Sequence, residues 1–128
     1  FSFSGLKTAA VKACAKLNQP LTLQDKADIA SSFQEAAVES LLIKVKQALQ
    51  ETGLKRIAMV GGVSANKLLR QRCADLAHTL GLNVFYPRPE WCTDNGAMVA
   101  YTGYLRFSRA ENTDLSIRVK ARWPIDTL

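Results

Sequence analysis

The sequence predicts an α/β fold in which helices pack on a short, mainly parallel sheet. Two short apolar runs, Arg56-Ile57-Ala58-Met59-Val60 and Asn83-Val84-Phe85-Tyr86, have the length and content of strands. Between them lies a helical pattern with Leu68, Leu69, Cys73, Leu76, Ala77 and Leu80 facing inward. Two strands joined through a helix pair in parallel, by a right-handed crossover. Long helical patterns before and after this unit supply the covering layers.

The elements follow in order along the chain. Phe3 to Leu17 reads as an Ala-rich helix with Leu6, Ala10, Val11 and Cys14 on one face, broken by Asn18-Gln19-Pro20. Thr22-Leu23-Gln24-Asp25 has the form of a capping box and opens a second helix. Its apolar stripe is Ile29, Phe33, Ala37, Leu41, Val45 and Leu49, with Glu35, Glu39 and Lys46 off it, and Gly53 ends it. The run at 56–60 is apolar enough to predict a strand buried on both faces. Ser64 is placed to cap the third helix and Gly81 to close it. Pro87 and Pro89 stop the second strand, and a fourth helix is expected from about Thr93 to Arg109. Ser116 to Val119 reads as a last extended segment before Pro124.

Bulk properties narrow the function classes. The 128 residues fit one domain, and 48% hydrophobic with 22% charged residues is ordinary globular composition. No apolar run approaches the roughly 20 residues needed to span a bilayer. Phe1-Ser2-Phe3-Ser4-Gly5 has no basic segment followed by an apolar one, and no initiator Met, so the chain reads as a portion of a longer one. The cysteines Cys14, Cys73 and Cys92 are odd in number and lack Cys-x-x-Cys spacing, which argues against a disulfide framework and a zinc knuckle and for a reducing cytoplasm. The net charge of +6 suits contact with nucleic acid, and equally suits a solvated basic surface.

Val60-Gly61-Gly62-Val63-Ser64-Ala65-Asn66-Lys67 joins the carboxyl end of a strand to a helix start. Ligands in open α/β sheets bind at such ends. Gly61 and Gly62 allow close approach to the backbone, and the first N–H groups of the helix favour an anion. Asn66 is expected in the first turn, where its amide can bond a ribose, base or acyl group. The plainer alternative is a tight strand-to-helix turn. The Gly-Lys-Ser/Thr ending of a Walker A loop is absent.

The second loop, Pro87-Arg88-Pro89-Glu90-Trp91-Cys92-Thr93-Asp94-Asn95-Gly96, brings a carboxylate to a helix start. Asp94 suits a helix cap, with Thr93 competing, and equally a hard or borderline metal, or magnesium beside phosphates. One carboxylate does not hold a metal, so further ligands must come from elsewhere. His78 stands alone in mid-helix and reads as a surface or packing residue, and Cys92, without a local histidine base, as an inert thiol.

Taken together, several stretches resemble successive motifs of the TsaD family, also called YgjD or Gcp. They are Phe1-Ser2-Phe3-Ser4-Gly5-Leu6-Lys7, Asp28-Ile29-Ala30-Ser31-Ser32-Phe33-Gln34, Gly61-Gly62-Val63-Ser64-Ala65-Asn66, Tyr86-Pro87-Arg88-Pro89, Cys92-Thr93-Asp94-Asn95-Gly96-Ala97-Met98 and Arg122-Trp123-Pro124. The resemblance runs nearly end to end and in order. It implies the C-terminal part of an actin-like ATPase (ASKHA) fold, within a longer two-lobed enzyme. It implies transfer of a threonylcarbamoyl group from threonylcarbamoyl-AMP to N6 of the adenosine beside the anticodon of tRNA. By the same resemblance Asn66 matches the asparagine contacting the adenylate, Gly61 and Gly62 the turn beside the nucleotide, and Asp94 a ligand of one divalent metal, iron or zinc. A TsaB-like paralogue and a TsaE-like ATPase are the implied protein partners, with no membrane.

Two departures qualify this. The family's His-x-x-x-His metal pair and upstream substrate-binding residues are missing from the sequence, and Trp91 stands where Phe is common. The chain by itself is therefore expected to be inactive. Arg106, Arg109, Arg118, Lys120 and Arg122 are candidates for a tRNA surface or simply solvated. The competing readings are an actin-fold carbamoyltransferase or kinase, and an inactive scaffold. A glycoprotease, a description attached to the family, lacks its His-Glu-x-x-His pattern here.

Overall fold

The computed structural model describes residues 2–109, 119, 121 and 124. It divides into two compact units, 1–93 and 94–128. The first unit contains α1 (Ser4–Ala15), α2 (Leu23–Thr52), β1 (Arg56–Ala58), α3 (Lys67–Leu80) and β2 (Asn83–Phe85). The second contributes α4 (Gly96–Ser108). The expected segment Ser116–Val119 lies, but for Val119, outside the described residues, as do Arg118, Lys120 and Arg122.

The punctuation residues act where the sequence places them. Thr22 caps α2: its Oγ1 accepts the Asp25 N–H at 3.1 Å, and Asp25 Oδ2 accepts the Thr22 N–H at 2.9 Å. Gly53 and Gly81 end α2 and α3 in the left-handed conformation, at φ 66° and 63°. The Thr22 hydroxyl and N–H, both donating to the carboxylate, hold the Asp25 pKa below its ordinary 3.8. A lowered carboxylate pKa contributes stability that is complete above the unfolded value and is lost as pH falls through the folded one. Titrating Asp25 by carboxyl NMR should therefore give a midpoint below 3.8 that moves back up in Thr22→Val. An identical midpoint in the variant would remove the capping box as the cause.

Strands β1 and β2 pair in parallel, with Arg56 opposite Asn83, Ile57 opposite Val84 and Ala58 opposite Phe85. The core lies on one side of this pair. Val38 and Leu42 of α2 meet Leu69 and Cys73 of α3, with Met59, Val84 and Tyr86 packed against them. Burying Val and Leu side chains of this kind stabilises by about 1.5–3 kcal/mol each.

Two expectations need correction. The α2 stripe Ile29 to Leu49 is only half-buried, and the fully buried positions are Val38 and Leu42. A strict fourth-residue row advances about 40° around the helix at each step, because the α-helical period is 3.6. Over this 30-residue helix the row cannot face a single neighbour. Its early part, at Ile29 and Phe33, faces α1 and lines a hollow with Leu6, Ala9 and Ala10. Further along, α3 takes over, one residue out of step. The second correction concerns β1. Ile57 and Met59 are half-buried, while Val60 is 74% exposed and Phe85 of β2 is 56% exposed. Among the described residues the sheet has two strands and is covered on one face. The apolar content that predicted burial on both sides belongs in part to an open face.

Candidate functional site

The glycine turn begins where β1 ends. The Met59 N–H still donates to the Phe85 carbonyl at 2.9 Å, holding the chain in the sheet. Gly61 then takes φ 85°, ψ 170°, a region essentially reserved for glycine. This turns the chain into one turn of 3-10 helix, Gly62–Ala65, closed by the Ser64 N–H on the Gly61 carbonyl at 2.9 Å. A Cβ at Gly61 would meet nothing within 4 Å, so its backbone borders open space. A Cβ at Gly62 would meet Thr93 Cγ2 at 3.7 Å, an ordinary contact. Gly61 is thus demanded by backbone conformation, and Gly62 by neither space nor φ.

Asn66, not Ser64, caps α3. Its Oδ1 accepts the Leu69 N–H at 3.0 Å, and its Nδ2 donates to Gln34 Oε1 of α2 at 3.0 Å. Asn66 therefore stands just before the first turn rather than within it. The Lys67 and Leu68 N–H groups, at the start of α3, have no acceptor inside the helix. Ser64, 2% exposed, instead turns its hydroxyl inward to Cys92 Sγ at 3.2 Å. A cap needs a side chain beside the first free N–H groups, and the intervening 3-10 turn moves Ser64 too far back.

Arg70, which sequence reasoning passed over, ties this turn to the second loop. Its Nε donates to the Ser64 carbonyl at 2.6 Å and its Nη2 to the Pro87 carbonyl at 2.8 Å. Nη2 also reaches Cys92 Sγ at 3.3 Å, and the guanidinium lies over the Tyr86 ring, 4.9 Å from its centre. Cys92, 4% exposed, donates to the Arg88 carbonyl at 3.3 Å. One planar cation thus fixes both segments that leave the carboxyl ends of the strands. The available signal was an arginine directly beside the inward Leu69, where a solvated charge is unexpected. Burial pushes the Cys73 thiol up. Tyr86 is also raised, by burial first and then by Cys73, with Arg70 opposing. Both groups are therefore neutral at neutral pH, and Cys14, Cys73 and Cys92 are all free thiols.

Asp94 opens the second unit. The α4 cap is Asn95, whose Oδ1 accepts the Met98 N–H at 3.0 Å, so neither Thr93 nor Asp94 serves as the cap. Asp94 is exposed and takes part in no hydrogen bond or ion pair among the described residues. Its carboxylate fits a hard or borderline cation as one ligand. No group of three or more His, Cys, Asp or Glu side chains among the described residues is arranged to hold a metal. His78 is exposed in the last turn of α3.

A hollow of about 270 Å³ abuts Asn66 and Gln34, walled by Phe33, Val38, Leu41 and Val63. A larger groove of about 690 Å³, between α3 and the second half of α2, includes none of Gly61, Gly62, Asn66 and Asp94. No helix among the described residues is long and apolar enough to cross a membrane.

Gly61, Gly62 and Asn66 therefore share one turn at the carboxyl end of β1, bordering open space, while Asp94 is an unengaged carboxylate at the start of a helix. The family model for TsaD, tRNA N6-adenosine threonylcarbamoyltransferase, matches residues 1–101. That match covers most of the 128 residues and includes every element described above except the end of α4. The α/β architecture with its parallel strand pair agrees with the actin-like fold of that family. This chain belongs to the TsaD family of tRNA-modifying transferases.

Proposed function

We propose that the chain forms the C-terminal, nucleotide-facing part of a two-lobed enzyme. That enzyme moves the threonylcarbamoyl group from threonylcarbamoyl-AMP to N6 of the adenosine next to the anticodon. The observation that carries this reading is the family match over residues 1–101. It is supported by the Gly61 backbone bordering open space beside Asn66, and by the uncovered apolar sheet face at Val60 and Phe85. A face of that kind fits a chain whose remaining lobe lies against it.

In this reading the Gly61–Gly62 turn lets the adenylate approach the backbone. The Asn66 carboxamide and the N–H groups at the start of α3 hold its oxygens. Arg70 keeps the turn and the 87–92 loop in register before substrate arrives, so that little ordering is left to binding. Asp94 supplies one ligand to an iron or zinc ion completed by histidines from outside this sequence. The bound ion would polarise the carbamoyl carbonyl as a Lewis acid. The tRNA N6 amine forms the new bond to the carbamoyl carbon and gives up one proton to water, that carbon's bond to the phosphate oxygen breaks, and AMP leaves with the bonding electron pair. Arg106 and Arg109, exposed near the end of α4, suit tRNA phosphates. A TsaB-like paralogue, a TsaE-like ATPase and a cytoplasmic setting complete the proposal.

The test is an assay of the enzyme that joins this chain to its histidine-bearing segment. The modified nucleoside is read by mass spectrometry and bound metal by elemental analysis. Asp94→Ala is expected to lose the metal and the activity while keeping the adenylate. Asn66→Ala is expected to keep the metal and bind the adenylate about tenfold or more weakly, as loss of a hydrogen bond to a charged group implies. Full metal content in Asp94→Ala would remove Asp94 from the site.

A further inference from the structure

The stretch Asp28 to Gln34 carries no role in the reading above, yet its last residue touches the site. Gln34 lies on α2 and is exposed, but its Oε1 accepts the Asn66 Nδ2 at 3.0 Å across 32 positions of sequence. The other end of the same carboxamide, Asn66 Oδ1, accepts the Leu69 N–H at 3.0 Å. These two bonds use opposite ends of one planar group. Rotating the amide by half a turn would set nitrogen against the Leu69 N–H and oxygen against the Gln34 oxygen. A carboxamide nitrogen has two hydrogens, and Gln34 takes one.

We propose that Gln34 is a positioning residue: it holds the Asn66 carboxamide so that one remaining Nδ2–H faces an acceptor oxygen of the adenylate. The proposal rests on the assignment of Asn66 to the adenylate. Helix α2 thereby sets the orientation of a group at the strand-to-helix junction, although Gln34 itself need not touch substrate. The exposed position of Gln34 makes the test clean, because replacing it leaves no cavity in the core.

Two measurements decide it. In the chain itself, nitrogen-15 spectra should show the Asn66 Nδ2 proton that is donated to Gln34 downfield of the ordinary carboxamide range. Gln34→Met, which keeps length and removes the acceptor, should return that proton to the ordinary range with only a small change in melting temperature. In the joined enzyme, Gln34→Met is expected to raise KM for threonylcarbamoyl-AMP about three- to tenfold with kcat nearly unchanged, the size of one neutral hydrogen bond. Gln34→Glu, which retains an acceptor oxygen, should fall nearer the parent enzyme. In an Asn66→Ala background Gln34→Met should add nothing, since the group it orients is gone. An equal effect of Gln34→Met in both backgrounds, or none in the parent enzyme while Asn66→Ala weakens binding, would overturn the positioning role and leave the proposed function standing. No effect of Asn66→Ala on adenylate binding would instead take down the assignment of Asn66, and this inference with it.

Discussion

Replacing Arg70 by Met is expected to lower the unfolding free energy by about 2–4 kcal/mol, and to weaken adenylate binding as well. The guanidinium donates to the Ser64 and Pro87 carbonyls and to Cys92, and it stacks on Tyr86. Each hydrogen bond from a charged donor is worth about 1.5–3 kcal/mol when its partner is left without a substitute. The three are not additive, and water replaces part of the loss because Arg70 is only half-buried. Methionine keeps the aliphatic stem and some contact with the ring, so packing is not the main variable. Lysine retains the charge but not the planar fork that meets the two carbonyls from separate nitrogens, so Arg70→Lys should fall between the two. Urea denaturation at constant slope is the measurement. An unchanged midpoint in Arg70→Met would mean that the two loops are held by something other than this residue.

The second large effect separates two adjacent glycines. Gly61→Ala is expected to cost about 1–3 kcal/mol, because φ 85°, ψ 170° is strained for any side-chain-bearing residue. Relief of that strain would move the start of the 62–65 turn and with it Asn66, so adenylate affinity should fall too. Gly62→Ala should change stability little: its added Cβ would meet only Thr93 Cγ2, at an ordinary 3.7 Å. Any adenylate effect of Gly62→Ala would then report ligand approach rather than folding. Equal losses of stability in the two variants would contradict the conformational distinction between them.

The parts of the fold legible in the sequence were those decided by local chemistry. Thr22 with Asp25, Gly53 and Gly81 specify helix ends through their own backbone and side chains, so no distant residue was needed to read them. The parallel pairing followed from a helix lying between two apolar runs. The capping residues of α3 and α4 were misread for a related reason. Ser64 and Thr93 or Asp94 all have capping chemistry, and so do Asn66 and Asn95. The choice depends on how many residues the preceding 3-10 turn or loop consumes, which no local pattern states. Arg70 and Gln34 were invisible because their partners lie 6 to 32 positions away and reach them only through the packing of α2, α3 and the 87–92 loop. Asp94 was legible as a chemical type, while no second ligand is arranged beside it among the described residues.

The proposed division of the site between two lobes makes one outcome decisive. Calorimetric titration of threonylcarbamoyl-AMP and of the metal should be run on this chain alone, on the separately produced histidine-bearing segment, and on the two mixed. The expected result is binding of both only on mixing, with metal uptake lost in Asp94→Ala and adenylate affinity reduced in Asn66→Ala. Absence of adenylate binding in a pair shown by light scattering to have assembled would contradict the nucleotide-facing role. The family relationship would then describe the fold of this chain and not its work.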